Sequence, residues 1–407
     1  MQSSGIPRAF LTAAALLASG QSMAAGFYLT QIGTPTSIGT VGVTNTVNTW
    51  GADTAWAQPA GMVNLKDDVE SAAGLTLLAP KVEFDSSVSE AGGNDGGNAG
   101  DIAIIPSAFL VKKLSDQTSV GFAVTAPLGG ALDYGDNFVG RYVAQKVALT
   151  GLGITSSVGY KVNDRLAVGA GVTFVYTHYE QDIAINLPGP AADGKARLEN
   201  LDDWGYQPFL GLTYAISDKV MLGVVYRAEM DVDLEGDAKF DGVPLSNNDA
   251  KIGWDNPQWL EAALSFRLEN NNFLAFNLGW QDWSEFSENE VEIGAGAKVL
   301  ERDWKDTWRA GVAFGHFDGT QGMSFGLSYD SSPVSDSDRT VDLPVDETWQ
   351  AGASYFLKGE TLDFSFGSSL MYAGNGKIDQ TAQGVRFKGE YDTNLILTLG
   401  GTLRYTF

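Results

Sequence analysis

The sequence predicts an all-β fold, a transmembrane antiparallel 14-stranded β-barrel with an N-terminal plug (hatch). Three observations predict it. Hydrophobicity alternates with period two over most of the chain, the connections alternate between short and long, and the first residues look like an export signal. We expect a signal peptide over residues 1–24, a hatch over 25–65 and the barrel over 66–407.

The first residues predict a signal peptide that is later removed. Arg8 supplies a basic start, residues 9–18 form a short apolar run, and Ser22-Met23-Ala24 resembles an A-x-A cleavage site. The run is too short for a helix that spans a membrane. We therefore expect the mature chain to begin at Ala25. The alternative is an apolar N-terminal helix of a cytosolic protein.

Residues 25–65 differ from the rest because they do not alternate. They contain Pro35 and Pro59, which interrupt strands, together with Trp50, Trp56 and several glycines. About forty such residues ahead of a barrel need a place to pack. The interior of a fourteen-stranded barrel provides one, so we interpret the segment as a plug.

The remaining chain alternates. In one run Leu166, Val168 and Val172 share a face, while Gly169 and Gly171 share the other. Fourteen such runs lie near 69–84, 101–113, 118–128, 141–162, 165–184, 201–216, 220–235, 259–268, 273–290, 303–316, 322–332, 346–357, 361–379 and 385–407. An even number of alternating strands is typical of outer-membrane barrels.

The connections favour the same architecture. Every second one is short, such as 115–117 and 163–164, whereas the others are long and polar, such as 85–100 and 234–257. Short turns at one end and long loops at the other are typical of outer-membrane barrels, as are the tryptophans near strand ends. A large soluble β-protein is the alternative fold.

Composition excludes several function classes. The net charge is −24, which argues against a nucleic-acid partner, and the chain has no cysteine. His178 and His316 are the only histidines, so most acid–base sites lack their commonest member and we expect no enzyme. The alternative is a lipid-acting outer-membrane enzyme. Neither of two acidic groups has a full calcium-loop signature: Asp330, Asp336 and Asp338, or Asp231, Asp233 and Glu235. We therefore expect no metal and no cofactor.

Five motifs, in this order, resemble the FadL/TodX-type family of outer-membrane long-chain fatty acid and hydrocarbon transport proteins. They are Ala25-Gly26-Phe27-Tyr28-Leu29, Gln58-Pro59-Ala60-Gly61-Met62, Gly140-Arg141-Tyr142, Trp304-Lys305-Asp306-Thr307-Trp308-Arg309 and Tyr329-Asp330-Ser331-Ser332-Pro333-Val334. The resemblance covers almost the whole mature chain. It implies a fourteen-stranded barrel, a hatch that includes Phe27, Gln58, Pro59, Ala60 and Gly61, and passive uptake of hydrophobic molecules. Gln58 stands where the family usually has Asn.

The third strand ends in a sequence that should break its pairing. Pro127 cannot donate to a ladder, and Gly129 and Gly130 pack poorly. A gap in the wall would let an apolar ligand leave sideways into the bilayer, and the resemblance implies such a lateral gate. The alternative is that the strand simply ends at an outer loop.

An acidic substrate needs a cation inside the barrel. Parity in the tenth run predicts that Lys305 and Arg309 face inward and that Trp304 and Trp308 face outward. The resemblance implies that Lys305 binds a carboxylate, the alternative being a salt bridge inside the lumen. Arg141 and His178 complete the candidate ligand-binding residues, although His178 stands where a second cation would be expected.

The sequence thus predicts a monomeric channel in the outer membrane of a Gram-negative bacterium. Its expected partners are long-chain fatty acids or other hydrophobic small molecules, together with membrane lipid and lipopolysaccharide. Aromatic or aliphatic hydrocarbons are the alternative substrates. A general porin for polar solutes is a further alternative that the plug argues against.

Overall fold

The computed structural model describes residues 33–187 and 193–406. The predicted signal peptide, the predicted mature start and Phe27 lie outside the described residues. Within them, nineteen strands form one sheet. They are β1 Val69–Ser89, β2 Ala103–Lys113, β3 Thr118–Asp133, β4 Lys146–Lys161, β5 Leu166–Ile185, β6 Gly194–Ser217, β7 Val220–Arg227, β8 Met230–Asp241, β9 Asn248–Asn256, β10 Trp259–Arg267, β11 Asn272–Gln281, β12 Glu288–Ile293, β13 Gly296–Glu301, β14 Thr307–Phe317, β15 Gln321–Asp330, β16 Thr348–Leu357, β17 Leu362–Tyr372, β18 Lys377–Ala382 and β19 Val385–Thr406.

The sheet closes because β1 pairs with β2 on one side and with β19 on the other, both antiparallel. Fourteen strands form the wall, in the order β1 to β7, β10, β11, β14 to β17 and β19. The predicted fourteen-stranded antiparallel barrel is therefore confirmed.

Five further strands extend the sheet beyond the wall at the long-loop end: β8, β9, β12, β13 and β18. The expectation of a loop over 234–257 is wrong, because β8 and β9 form a hairpin there. Leu234 and Ile252 on its inner face are buried in the core, and this burial stabilises a segment whose other face is charged.

The two faces of the wall differ as alternation predicts. Large apolar side chains are exposed on the outer face, including Leu75, Leu210, Leu278, Trp308 and Phe325. The inner face carries small and polar residues, many of them glycine, serine and threonine. An outward apolar band is the surface that lipid covers in a membrane barrel. No helix in the described part of the chain is long and apolar enough to cross a membrane.

The third strand continues past its predicted end at residue 128. Gly129 and Gly130 pair regularly with β4, and β3 runs on to Asp133. One extra residue lies between Thr125 and Leu128, so β3 bulges at Pro127. A bulge bends its strand, because two residues on one side face one on the other.

Residues 33–65, here called the N-terminal segment, form short helices instead of strands: α1 Pro35–Gly39, α2 Thr54–Ala57 and 3-10 turns at Asn45–Val47 and Pro59–Asn64. Thr34 caps α1 through its side chain, and Pro35 starts the helix. Almost every residue of the segment is buried, and it contacts wall strands from β2 to β19. Two other 3-10 turns, Glu269–Asn271 and Trp283–Ser287, lie in connections.

Candidate functional site

A cavity of about 950 Å³ lies at the long-loop end of the barrel; we call it the outer cavity. The upper parts of β4, β5 and β6 form one side, and the extension strands β8, β9, β12 and β13 form the other. Its lining is mainly apolar, for example Leu149, Leu198, Trp254, Phe286 and Val291. A concave apolar site of this size fits a small hydrophobic molecule.

One end of the outer cavity is polar, and Arg302 organises it. The guanidinium donates from Nε to Asn289 Oδ1 at 3.0 Å, from Nη1 to Thr340 Oγ1 at 2.9 Å and from Nη2 to Asp342 Oδ2 at 2.8 Å. The Arg302 and Asp342 side chains are 11% and 6% exposed, so this is a buried ion pair. All four residues line the cavity.

The ion pair keeps Asp342 ionised. Burial alone would raise the pKa of its carboxyl, but the Arg302 charge and hydrogen bond outweigh burial and hold that pKa below its usual value. Burial alone would lower the pKa of Arg302, but the charge and hydrogen bond of Asp342 outweigh burial and raise that pKa. The polar end therefore carries one positive and one negative charge at neutral pH.

The wall is interrupted beside β3. Pairing between β2 and β3 ends at Ala108 and Val124. Higher up in the described part of the chain, isolated bridges between Gly100 and Leu132 and between Asn94 and Phe138 join the residues before β2 to the end of β3 and its following loop. Residues 103–107 of β2 and 125–131 of β3 flank this gap, which we call the β2–β3 window. Its β2 side is about 17 Å long at about 3.3 Å per residue.

Glycines on the inner wall allow the N-terminal segment to approach closely. A Cβ on Gly223 would overlap the carbonyl of Thr46, and one on Gly352 would overlap the carbonyl of Ile38. Wall glycines in this position occur on ten strands: Gly121, Gly159, Gly169, Gly211, Gly223, Gly311, Gly326, Gly352, Gly367 and Gly400. The segment thus packs on the wall backbone to backbone.

Two inward arginines hold the segment on different parts of the wall. Arg227 of β7 donates to the carbonyl of Trp56 and lies over the Phe209 ring at 4.1 Å. Arg309 of β14 donates to the carbonyl of Val41 and pairs with Asp330 at 3.0 Å. Each arginine satisfies a segment carbonyl that would otherwise be buried without a partner.

Gln58 joins the segment to the wall. Its Nε2 donates to the carbonyls of Thr46 at 2.7 Å, Leu212 at 3.2 Å and Val224 at 3.3 Å, while Oε1 accepts from the Ala60 amide. Pro59, Ala60 and Gly61 follow in the buried 3-10 turn. The glutamine at the motif's first position therefore bridges β6 and β7.

The family model for outer membrane protein transport proteins (OMPP1/FadL/TodX) matches residues 15–407. The chain belongs to this family. A long-chain fatty acid transport protein of Escherichia coli K12 is 22% identical over 426 residues, covering 91% of this chain and 93% of that protein. Outer membrane protein P1 of Haemophilus influenzae is 20% identical over 417 residues, which cover 88% of this chain and 89% of that protein. This OMPP1/FadL/TodX-family protein is an outer-membrane protein of a Gram-negative bacterium.

Solved structures share the fold. A Pseudomonas aeruginosa FadL homologue superimposes with a TM-score of 0.86 at 19% identity, covering 94% of this chain and 100% of that one. The Ralstonia pickettii toluene transporter TbuX superimposes with a TM-score of 0.70 at 19% identity, and the match covers 93% of this chain and 99% of that one. The OMPP1/FadL/TodX family consists of transport proteins, so a transport role follows at that level.

Lys305 does not lie where parity predicts. Strand β14 begins only at Thr307, and Asp303 has a positive φ of 51°, so the alternation does not extend back to Lys305. Lys305 is exposed and does not line the outer cavity, whereas Trp304 is buried against Trp283 and Phe286. The prediction that Lys305 faces inward and Trp304 outward is wrong.

His178, a candidate ligand-binding residue, lies on the outer face of β5 together with Tyr176 and the exposed Phe174, and it does not line the outer cavity. Its Nδ1 lies 2.6 Å from Asp202 Oδ1, and the next residue, Tyr179, faces the cavity instead. His316 Nδ1 contacts Asn272 Oδ1 at 2.9 Å. Neither contact supplies a serine nucleophile with a base, as the enzyme alternative requires.

Arg141 supports the loops and does not line the cavity. Its Nε pairs with Asp193 at 2.8 Å, and its Nη atoms donate to the carbonyls of Ala91, Gly92 and Phe138. Sequence reasoning missed Arg302 and Asp342, because both lie in connections without periodicity. It also missed Arg227, although Arg227 shares the small, inward face of its strand with Gly223, which was a usable signal.

Proposed function

We propose that this protein takes up hydrophobic molecules across the outer membrane by passive diffusion. The outer cavity is the first binding site, and the β2–β3 window is the exit into the bilayer. The observation that carries the proposal is an apolar cavity of about 950 Å³ at the outer end of a barrel whose wall is interrupted beside β3. The relatives are named for long-chain fatty acids and for toluene, and both classes are candidate substrates.

The lower barrel supports this route. The N-terminal segment contacts many wall strands. Its carbonyls accept hydrogen bonds from wall side chains such as Arg227, Arg309 and Ser157. We interpret residues 25–65 as the plug that blocks a direct aqueous path. A general porin needs an open water-filled lumen, so the packed segment favours a lateral route over that alternative.

Ligand binding in the outer cavity can control the β2–β3 window because one apolar cluster connects the cavity with the window. Leu128 of β3 packs in the same buried core as the cavity residues Leu149, Trp254, Phe286 and Leu343. A ligand that enters the cavity displaces side chains of this cluster, and the bulged half of β3 moves with them. This is the ligand-gated step of the proposal, in which Pro127, Gly129 and Gly130 lie at the gate.

The experiment blocks the cavity. Val291 lines it, whereas the neighbouring Glu292 is exposed on the opposite face of β12. In cells that lack other channels of this family, Val291→Trp should reduce uptake of a labelled hydrophobic substrate about tenfold or more, because the indole fills the cavity. Glu292→Trp is the matched control and should retain uptake. Equal uptake by both variants would show that the cavity is not on the route.

A further inference from the structure

The charges of the outer cavity limit which molecules it can hold. Among the described side chains that line it, the charged ones are Arg302, Asp342 and the exposed Glu301. Arg302 is the one cation in this set; three of its five N–H groups donate to Asn289, Thr340 and Asp342, and its charge is paired with Asp342. A ligand carboxylate would therefore lose its water to meet a cation whose charge is already paired, and Asp342 would repel it.

The hydrogen-bonding groups at the polar end point to a different ligand group. Asn289 is 3% exposed, and its Oδ1 accepts from Arg302, which can only donate; this fixes Nδ2 as a free donor. That Nδ2 is buried without a hydrogen-bond partner. Asp342 is 4% exposed and ionised, and its Oδ1 is a buried acceptor that Arg302 does not reach. The polar end thus offers one donor and one acceptor.

A hydroxyl group matches this pair, since it donates and accepts at once. A carboxylate or an ether can only accept, and an alkane can do neither. Resting on the proposed function, we propose that the outer cavity selects uncharged hydrophobic molecules that carry a hydroxyl group, such as long-chain alcohols or alkylphenols, and discriminates against carboxylates. The alkyl or aryl part lies along Leu198, Val291 and Trp254, and the hydroxyl lies between Asn289 and Asp342.

The first test needs no variant. Binding of 1-decanol, 1-methoxydecane and decanoate to the full-length protein in detergent is measured at about pH 8, with protein-free micelles subtracted. The alcohol should bind about tenfold more tightly than the ether, which lacks the donor, and ten- to a hundredfold more tightly than decanoate. Decanoate binding as tightly as the alcohol overturns the proposal. Equal binding of ether and alcohol overturns the part played by Asp342.

The second test changes the charge balance. Asp342→Asn leaves Arg302 without its counter-charge and replaces the charged acceptor of the hydroxyl by an amide. Decanoate binding should therefore rise about tenfold, decanol binding should weaken, and the preference for decanol over decanoate should be lost. The matched control is Asp346→Asn in the same loop, because Asp346 pairs with Arg339 at 2.9 Å outside the cavity. It should alter neither ligand. Heat-dependent migration of both variants on gels reports whether they fold. If Asp342→Asn does not fold, the comparison of decanol, 1-methoxydecane and decanoate on the wild-type protein decides the proposal.

The two proposals fail in different ways. If decanoate binds better than decanol and Val291→Trp abolishes both, the cavity is an uptake site and only the hydroxyl selectivity is wrong. If no ligand of the series binds at all, the cavity is not a ligand site and the proposed function falls with the selectivity. Alcohol selectivity that disappears in Asn289→Leu supports the inference directly.

Discussion

Arg302 holds three separate connections in one place. Its backbone amide donates to Ser287 in the turn before β12, and its side chain reaches Asn289 in β12 and Thr340 and Asp342 in the loop over residues 331–347. These residues approach each other only because the barrel brings the outer ends of β11, β14 and β15 together. Burying an ion pair costs free energy because both charges lose their water. What this pair contributes is therefore the fixed relative position of the residues that it connects.

The depressed pKa of Asp342 predicts how fatty acid binding depends on pH. A carboxyl whose pKa is lowered by folding stabilises the protein above its unfolded pKa of about 3.9, and this contribution is lost only as pH falls through the folded value. Asp342 should therefore stay charged at about pH 5, where a fatty acid begins to be protonated. Because the protonated acid has a hydroxyl, decanoate binding should strengthen from pH 8 to about pH 5. Titration calorimetry across this range measures it, and binding that weakens or stays constant would contradict the account.

Lys305 is predicted to have little effect on ligand binding. Its side chain is exposed and lies outside the cavity lining, so Lys305→Ala should change decanoate and decanol binding less than twofold. Arg302→Met, which removes the organising cation, is the positive control and should disturb both ligands. A selective loss of decanoate binding in Lys305→Ala would restore this lysine as a carboxylate partner.

At the scale of elements, the wall and the N-terminal segment are matched to each other. The alternation places small residues inward on every strand, and ten glycines meet atoms of the segment. A segment held by backbone contact, by Arg227 and Arg309 and by Gln58 has little freedom to leave during transport. This packing is the physical reason to expect that the ligand moves around the segment, through the wall.

Gly223→Ala tests that packing. The new Cβ would meet the Thr46 carbonyl, which is backbone and cannot rotate away, so the segment must shift at a cost of about 1–3 kcal/mol. We expect a lower thermal midpoint and a larger ion conductance in planar bilayers. The control is Gly401→Ala, whose Cβ has its nearest atom, Ser365 O, at 4.0 Å. Identical conductance in both variants would mean that the segment does not seal the barrel.

Much of the architecture could be predicted because alternation and turn length are local signals. The fourteen runs follow from residues such as Leu166 and Val168, and the turns from residues such as Asn163 and Asp164. The outer cavity could not be predicted in the same way. Asp303 ends the alternation at a positive φ, and Asp342 lies in a long loop whose position depends on contacts far apart in sequence, so parity misassigned Lys305 and gave no sign of Arg302.

At the scale of the whole molecule, the barrel separates two environments along its axis. The inner end holds the N-terminal segment, the outer end holds an apolar cavity, and the wall is interrupted beside β3. Under the proposed function, a hydrophobic molecule passes from the outer surface to the bilayer interior along this arrangement without entering a water-filled channel. The acidic net charge of −24 does not hinder an uncharged ligand on this route.

The most direct test of this route removes the bulge from β3. Deletion of Pro127 gives β3 and β4 equal residue counts between Thr125 and Leu128, so β3 can continue its pairing with β2 and close the window. The matched control deletes Ile216, the extra residue of the β6 bulge against β7 near a short turn. We expect the Pro127 deletion to keep decanol binding at the outer cavity but to lose uptake, and the Ile216 deletion to keep both. Undiminished uptake by a folded Pro127 deletion would contradict lateral exit through the β2–β3 window.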